Sequence, residues 1–260
     1  MIAPNSGERG CALITGGSRG IGASIAKALA GDGHRVAVNY RKDAEGAERV
    51  VAEIVERGGA AASFQADVSD EEAVDRLFGS VEQELGPVSV LVGNAGRRID
   101  GVLLGVDTAD WREVLDTNLS AAFYTTRRAL GPMARAQFGR IIILGSLLGD
   151  RTLPGMASYS ASKAGLEGFA RSVALEVAHR GITVNVIAPG LVDTEFVDDL
   201  DLTEEWIRNT IPVRRAARPD EISSCARFLA SAEAGYITGS TIAVDGGLSC
   251  SAFSLPRRNR

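Results

Sequence analysis

The sequence predicts an α/β protein built on one doubly wound parallel sheet of about seven strands, with helices on both faces. Two observations support this fold class. Apolar segments such as VSVLV, IIIL and VNVIA are continuous rather than alternating, as in strands covered on both faces. Helical patterns separate these segments, and repeated strand–helix units with right-handed crossovers give a doubly wound sheet. With 260 residues and no linker or internal repeat, we expect a single domain, 1–260.

The strands are identified by their apolar runs and by the turns that bound them. They are predicted at Ala12–Thr15, Arg35–Asn39, Ala61–Ala66, Val88–Gly93, Arg140–Gly145, Thr183–Ala188 and Thr241–Val244. Helices are predicted between them, including a long one from about Asp107 to Ala136 and two more at Ala157–His179 and Pro219–Ala230. The tail after Leu248 is expected to be loose.

The composition argues against several classes of function. The net charge is −5 without a block of like charges, which disfavours nucleic-acid binding. No apolar stretch approaches the roughly 20 residues of a membrane helix, and the start MIAPNSGERG lacks the pattern of a signal peptide. We therefore expect a soluble, cytoplasmic protein. Three widely spaced cysteines and two distant histidines predict neither a disulfide framework nor a metal site.

A glycine-rich turn, TGGSRGIG, follows the first predicted strand and opens a helix. Its glycines would let a pyrophosphate approach bare backbone, where the positive end of the helix dipole meets the phosphate charge. A turn at this place is typical of Rossmann-type dinucleotide sites. The predicted cofactor contacts here are Gly16, Ser18, Arg19, Gly20, Ile21 and Gly22.

The residues after the second strand predict which coenzyme is used. Many dinucleotide folds carry an acid there that bonds the ribose 2′-hydroxyl, whereas this chain reads Asn39-Tyr40-Arg41. No acid would repel a 2′-phosphate, and Arg41 and Arg19 could bind one. The alternative is that both arginines are solvated surface charges. We expect NADPH (NADP+), with Asn39, Tyr40 and Arg41 as cofactor contacts.

Tyr159 and Lys163 stand four residues apart, on one face of a predicted helix. A tyrosine with its ordinary pKa of about 10 is a poor acid near neutrality, but a nearby ammonium lowers that pKa. The pair therefore predicts a proton donor to a carbonyl oxygen, although this spacing alone often occurs by chance.

Several motifs follow one another in a fixed order: TGGSRGIG, Asp67-Val68, Asn94-Ala95-Gly96, Asn118, Ser146, Tyr159 with Lys163, and Pro189-Gly190. In this order they resemble the short-chain dehydrogenase/reductase family, from about Gly10 to Gly247. Within it, the stretches RGITVNVIAPG and YITGSTIAVDGG are most similar to the 3-oxoacyl-[acyl-carrier-protein] reductases. Gly93 and Gly145 depart from the family pattern, which often has asparagine and serine there.

The resemblance implies a role for each motif residue. Tyr159 would be the general acid, Lys163 would hold the nicotinamide ribose and lower the tyrosine pKa, and Ser146 would bond the substrate oxygen. Asn118 would position a water in a proton relay to Lys163. Further cofactor contacts are implied at Asp67, Val68, Asn94, Ala95, Gly96, Pro189, Gly190, Val192 and Thr194. Taken singly, Ser146 could be a strand-end serine, and Asn118 and Asp67 could be helix caps.

The implied activity is NADPH-dependent reduction of a 3-oxoacyl thioester, in fatty-acid or polyketide-type synthesis. Two alternatives stay open: a dehydrogenase of free alcohols, sugars or steroids, and a cofactor-binding sensor without catalysis. The segment 191–218 corresponds to a substrate lid in the family. An apolar slot for an acyl chain would be formed by Leu147, Leu148, Leu153, Met156 and Phe196, or these residues could simply cap the core.

The resemblance also implies partners. The family assembles as tetramers through the helix that carries the tyrosine, and that helix has a stripe of small residues: Ala161, Ala164, Gly165, Gly168 and Ser172. The stripe could instead pack within the same subunit. An acyl carrier protein is acidic, so its docking to this acidic chain would need a local basic patch, for which Arg135, Arg140 and Arg180 are candidates.

Overall fold

The computed structural model describes residues 10–197 and 202–250. Within these ranges seven parallel strands form one sheet in the order β3-β2-β1-β4-β5-β6-β7. The strands are β1 Cys11–Ile14, β2 Arg35–Tyr40, β3 Ala60–Gln65, β4 Val88–Gly93, β5 Gly139–Leu144, β6 Ile182–Pro189 and β7 Thr241–Val244. The doubly wound sheet predicted from the sequence is confirmed.

Helices cover both faces of the sheet. They are α1 Gly20–Gly31, α2 Ala44–Glu56, α3 Glu71–Leu85, α4 Thr108–Leu115, α5 Ala121–Ala136, α6 Ala157–Val177, α7 Glu204–Thr210 and α8 Pro219–Ala230. One apolar core lies between the sheet and α3, α5 and α6, and a second lies between the sheet and α1, α2 and α8. The central strands β1, β4, β5 and β6 are buried on both faces, so their sequences read as continuous apolar runs, whereas the edge strands β3 and β7 are partly exposed.

The strand order reverses between β1 and β4. The connection after β1 leads to β2 on one side of this pair, and the connection after β4 leads to β5 on the other side. In open α/β sheets this switch point opens a crevice outside the carboxyl ends of the strands. The glycine turn at the end of β1 and the segment after β4 therefore border the same crevice.

The predicted long helix from about Asp107 to Ala136 is confirmed in its extent, but it is not a regular α-helix throughout. It divides into α4 and α5, which are joined by a π-helical turn at Asp116–Ser120. Asn118 lies in this turn, where its buried side chain bonds groups outside the helix. Wide turns of this kind are frequent at functional sites, and a residue pattern of period 3.6 does not reveal them.

Arg140, a candidate for the basic patch, is buried rather than exposed. Its guanidinium donates to the carbonyls of Ser231, Gly139 and Gly181, and it lies 4.4 Å from the ring centre of Phe138. These bonds hold the amino ends of β5 and β6 against the end of α8. Arg140 therefore cannot dock a partner, whereas Arg135 and Arg180 are exposed.

Segment 191–218, the predicted lid, is described except for residues 198–201. Its two ends are joined at the base, where Val192 pairs with Ala217 and Asp193 donates its backbone N–H to the Ala217 carbonyl. Between them lie a 3₁₀ turn at Glu195–Val197 and the helix α7. The predicted loose tail falls mostly on residues 251–260, which lie outside the described residues, as does the start of the chain, 1–9.

In the described part of the chain, every helix is too short or too polar to span a bilayer. Over the same residues, His, Cys, Asp and Glu side chains form no group of three that could hold a metal ion.

Candidate active site

A cleft of about 1010 Å³ runs along the carboxyl ends of the strands. It is lined by all the predicted site residues except Asn118, which is buried behind its wall. These lining residues are Gly16, Ser18, Arg19, Gly20, Ile21, Gly22, Asn39, Tyr40, Arg41, Asp67, Val68, Asn94, Ala95, Gly96, Ser146, Tyr159, Lys163, Pro189, Gly190, Val192 and Thr194. The structure thus brings together residues from the carboxyl ends of six strands, β1 to β6, with two residues of α6.

Two positions of the glycine turn, 16 and 22, require glycine. A Cβ on Gly22 would lie 2.3 Å from the carbonyl oxygen of Gly16, and Gly16 itself has φ of +61°. The Asn94 amide donates to the carbonyls of Thr15 and Gly16 at 3.0 and 2.8 Å, which fixes the turn against the end of β4. The backbone at the amino end of α1 is therefore open to a pyrophosphate, as a dinucleotide requires.

Asn39 has a bracing role that the sequence did not reveal. Its side-chain nitrogen donates to the carbonyls of Phe64 and Ala66, both at 3.2 Å, and its oxygen accepts from the Gly16 N–H at 3.4 Å. The side chain therefore ties β2, β3 and the glycine turn together. Asn39 also borders the cleft at the predicted coenzyme position.

Asp67 and Arg41 form an ion pair of 3.4 Å beside Asn39, and both side chains are more than a third exposed. Burial raises the pKa of Asp67, but bonds from Ser69 and the charge of Arg41 outweigh it, so the net pKa is lowered. Asp67 is not the helix cap considered above, because Asp70 caps α3 by accepting from the N–H groups of Glu72 and Ala73.

Arg19, the second predicted phosphate ligand, is exposed at the start of α1 and forms an ion pair of 2.8 Å with Glu195. Glu195 opens the 3₁₀ turn of the 191–218 segment. In this structure that segment is therefore held against the glycine turn by an ion pair.

Tyr159 and Lys163 lie in the first two turns of α6, and both are buried, at 7% and 4% exposure. The Lys163 ammonium donates to the Leu144 carbonyl at 2.7 Å and lies 5.6 Å from the centre of the tyrosine ring. Burial lowers the pKa of Lys163 to about 8. Burial also raises the pKa of Tyr159, although a hydrogen bond with Ser146 and the charge of Arg98 oppose the rise. The net lowering expected for this tyrosine is therefore not found in the free protein.

Asn118 is neither a helix cap nor a cleft residue. Its oxygen accepts from the backbone N–H of Arg97 at 2.7 Å, and its nitrogen donates to the Arg97 carbonyl and to the Ser162 hydroxyl. Ser162, fully buried, donates in turn to the Tyr159 carbonyl at 2.7 Å. The network joins the segment after β4 to the helix that carries the acid, and Ser162 is a member that the sequence did not single out.

Arg98 was also missed from the sequence. Its side chain, only 7% exposed, lies in the cleft beside Tyr159 and Phe196. It follows the Asn94-Ala95-Gly96 motif in an irregular segment without a repeating pattern, so no sequence signal distinguished it from a surface arginine.

The apolar end of the cleft matches the predicted slot. All five predicted residues line it, and they are Leu147, Leu148, Leu153, Met156 and Phe196.

One departure from the family pattern has a steric reason: a Cβ on Gly145 would lie 2.6 Å from Val186 Cγ1. Gly93 has no such neighbour within 3.9 Å.

Comparisons with known proteins agree with this geometry. A family model described as enoyl-(acyl carrier protein) reductase matches residues 16–249. The chain is 43% identical to the 3-oxoacyl-[acyl-carrier-protein] reductase of Synechocystis, over 91% of this chain and 96% of that protein. It is 42% identical to the 3-oxoacyl-[acyl-carrier-protein] reductase MabA of Mycobacterium tuberculosis, over 91% of each chain.

Among solved structures, a candidate gluconate dehydrogenase from Agrobacterium tumefaciens superposes with a TM-score of 0.88 at 32% identity. The superposition covers 93% of this chain and 96% of that one. The region matched by the family model contains every residue of the candidate site, from Gly16 to Thr194.

Proposed function

Because this chain belongs to the short-chain dehydrogenase/reductase family, we propose that it uses NADPH to reduce the ketone of a 3-oxoacyl thioester. It is an oxidoreductase of CH–OH and C=O groups that works with a nicotinamide cofactor. The finer assignment rests on one observation above all: Tyr159, Ser146 and Lys163 lie in the same cleft as a dinucleotide turn.

The chemistry proposed for this cleft is proton donation at a carbonyl oxygen. Bound NADPH would supply the hydride for the carbonyl carbon. The Tyr159 hydroxyl donates the proton, and the Ser146 hydroxyl donates a hydrogen bond to the same oxygen as negative charge develops. Two donors at one oxygen suit a ketone better than the carbon–carbon double bond of an enoyl substrate. Lys163 holds the nicotinamide ribose, and Asn118 supports the relay to it through its bonds to Arg97 and Ser162.

NADPH rather than NADH is proposed from the two arginines of the cleft. Arg19 and Arg41 border the place where a 2′-phosphate would lie, and Asn39 brings no negative charge there. Both arginines are already ion-paired and more than a third exposed, so each gains less than an isolated charge-assisted bond. We expect NADPH to be preferred by about ten- to a hundredfold. The change Arg41→Asp should move the preference toward NADH.

A 3-oxoacyl thioester is proposed as the substrate for two reasons. The apolar residues of the cleft, among them Leu148, Met156 and Phe196, suit an acyl chain. Relatives at 42–43% identity are named as 3-oxoacyl-[acyl-carrier-protein] reductases. The segment 191–218 is proposed as the lid over this slot, and the exposed Arg135 and Arg180 as the docking site for an acyl carrier protein.

We propose a homotetramer, formed in part through α6. Ala161, Ala164, Gly168 and Ser172 present an exposed flat face on this helix. Gly165 is the exception, because a Cβ there would lie 2.9 Å from Leu119 of the same chain. The alternative of packing within one subunit therefore applies to that residue.

A second candidate function is oxidation of a free alcohol or sugar acid, which the likeness to the candidate gluconate dehydrogenase favours. One assay separates the two: NADPH oxidation with acetoacetyl thioesters, against a panel of free ketones and keto sugar acids, repeated with NADH. Higher kcat/KM for a keto sugar acid than for the thioester would refute the proposed substrate. Equal efficiency with both coenzymes would refute the proposed coenzyme preference.

A further inference from the structure

Arg98 is a buried cation in the substrate half of the cleft. Its side chain is 7% exposed, whereas that of the preceding Arg97 is 42% exposed and pairs with Glu113. Moving a guanidinium out of water is costly unless charged or polar partners compensate. The burial of the Arg98 side chain therefore indicates a role that an ordinary surface arginine does not have.

The partners of Arg98 connect it to the acid. Its Nε lies 2.8 Å from an Asp100 carboxylate oxygen, and one terminal nitrogen donates to the Phe196 carbonyl at 3.1 Å. Its guanidinium carbon lies 5.4 Å from the centre of the Phe196 ring, and that ring lies 6.2 Å from the ring of Tyr159. The guanidinium and the phenol thus contact the same aromatic ring.

We propose that Arg98 is a second cationic residue of the active site, which acts through Tyr159 by stabilising negative charge on its oxygen. The inference rests on the proposed function, because it assumes that Tyr159 is the proton donor. Arg98 is a positioning residue in this sense, since its effect passes through the tyrosine.

The charge is needed at one step. When Tyr159 gives its proton to the carbonyl oxygen, the phenolic O–H bond breaks and a new O–H bond forms on the substrate. The phenolate then holds the negative charge until a proton returns from solvent. A cation close to that oxygen stabilises the phenolate and so helps the transfer.

Lys163 alone is a weak source of this charge. Its ammonium is bonded to the Leu144 carbonyl, and burial lowers its pKa to about 8, so it begins to lose its proton in mildly alkaline solution. An arginine stays protonated throughout this range. The charge of Arg98 lowers the pKa of Tyr159 against the opposing effect of burial.

Other charged groups near Tyr159 set the sign of the expected effect. Lys163 lies on the same helix as Tyr159. Asp100, in the segment after β4, partly neutralises the charge of Arg98. Glu195, next to Phe196 in the 191–218 segment, is paired with Arg19. Removing Arg98 should therefore raise the tyrosine pKa, whereas removing the charge of Asp100 should lower it.

The test is a titration of Tyr159 in the free protein, which needs no substrate. Tyrosinate absorbance is followed from about pH 8 to about pH 12, and the signal of the matching Tyr159→Phe protein is subtracted. Arg98→Gln should raise the midpoint by about one pH unit, and Arg98→Lys, which keeps the charge, should leave it nearly unchanged. Asp100→Asn should shift it in the opposite direction. Arg151→Gln is the matched control, because Arg151 is exposed and bonded to Asp150 and Ser249 outside the cleft.

An unchanged midpoint in Arg98→Gln would overturn the inference, as would equal shifts in Arg98→Gln and Arg98→Lys, which would indicate a purely steric role. If Arg98→Gln does not fold, the direction of the midpoint shift in Asp100→Asn decides instead. A midpoint that rises or stays unchanged in Asp100→Asn would overturn the inference. The alkaline limb of the kcat/KM profile should move with the titration. A wild-type protein that reduces no thioester would refute the proposed function and leave the titration result unaffected.

Discussion

Lys163 should lower the free energy of unfolding of this protein. It is 4% exposed, and burial lowers its pKa from 10.5 to about 8. The difference corresponds to about 3 kcal/mol of unfavourable free energy at any pH below both values. Methionine at this position has nearly the same length and no charge, so Lys163→Met removes this cost.

Part of the gain is lost, because the Leu144 carbonyl then lacks the partner it has at 2.7 Å. An unsatisfied buried carbonyl costs about 1–2 kcal/mol, so the expected net stabilisation near neutral pH is about 1–2 kcal/mol. The same variant should be inactive, because it lacks the ammonium that would hold the coenzyme ribose.

The pH dependence provides the sharper test. The pKa of Lys163 is lower in the folded state, so between pH 8 and 10.5 the unfolded chain binds more protons than the folded one. Wild-type stability therefore gains from this group as pH rises, and the advantage of Lys163→Met should shrink over that interval and then reverse.

Urea denaturation of the coenzyme-free proteins at several pH values measures both effects. Lys42→Met is the control, because Lys42 is exposed and its replacement should change stability by less than about 0.5 kcal/mol at every pH. A Lys163→Met protein that is less stable than wild type near neutral pH, by an amount independent of pH, would refute the reasoning.

Three further predictions concern the acid, the assembly and the carrier. Tyr159→Phe should lower kcat by about 10²–10⁴-fold while coenzyme still binds, as titrated by fluorescence; near-normal turnover would show that another group is the acid. Gly168→Arg places a large cation on the flat face of α6 and should dissociate the oligomer; an unchanged mass in light scattering would count against that interface. Arg180→Glu should lower kcat/KM for a carrier-bound substrate far more than for a small thioester, as added salt should; equal losses would argue against carrier docking.

Much of the fold could be predicted because local and overall patterns agree. The predicted bounds of Val88–Gly93 match β4, since a buried parallel strand has no polar face to confuse the pattern. The bounds of Thr241–Val244 also match β7, although this edge strand is partly exposed. The division of the helix at Asp116–Ser120 could not be predicted, because its cause is the bonding of Asn118 to a distant segment.

The candidate site follows the same division. The glycines of the turn and the four-residue spacing of Tyr159 and Lys163 indicate local backbone geometry directly, so these residues could be placed from the sequence. Arginines carry no such information: Arg140 and Arg98 both resemble surface charges in sequence, yet both are nearly buried. Only the partners supplied by the fold, the Ser231 carbonyl for Arg140 and the Phe196 ring for Arg98, distinguish them.

The bracing role of Asn39 restricts how this protein can be redesigned. Exchange of coenzyme is commonly sought by placing an acid at the end of the second strand, to accept from a ribose hydroxyl. Here an aspartate would lose the amide nitrogen that donates to Phe64 and Ala66 and would set a carboxylate against those carbonyl oxygens. The carboxylate would also face the glycine turn that Asn39 helps to hold. Engineering of coenzyme use should therefore leave position 39 unchanged and substitute Tyr40 and Arg41, whose replacement keeps the hydrogen bonds that Asn39 makes to β3 and to the glycine turn.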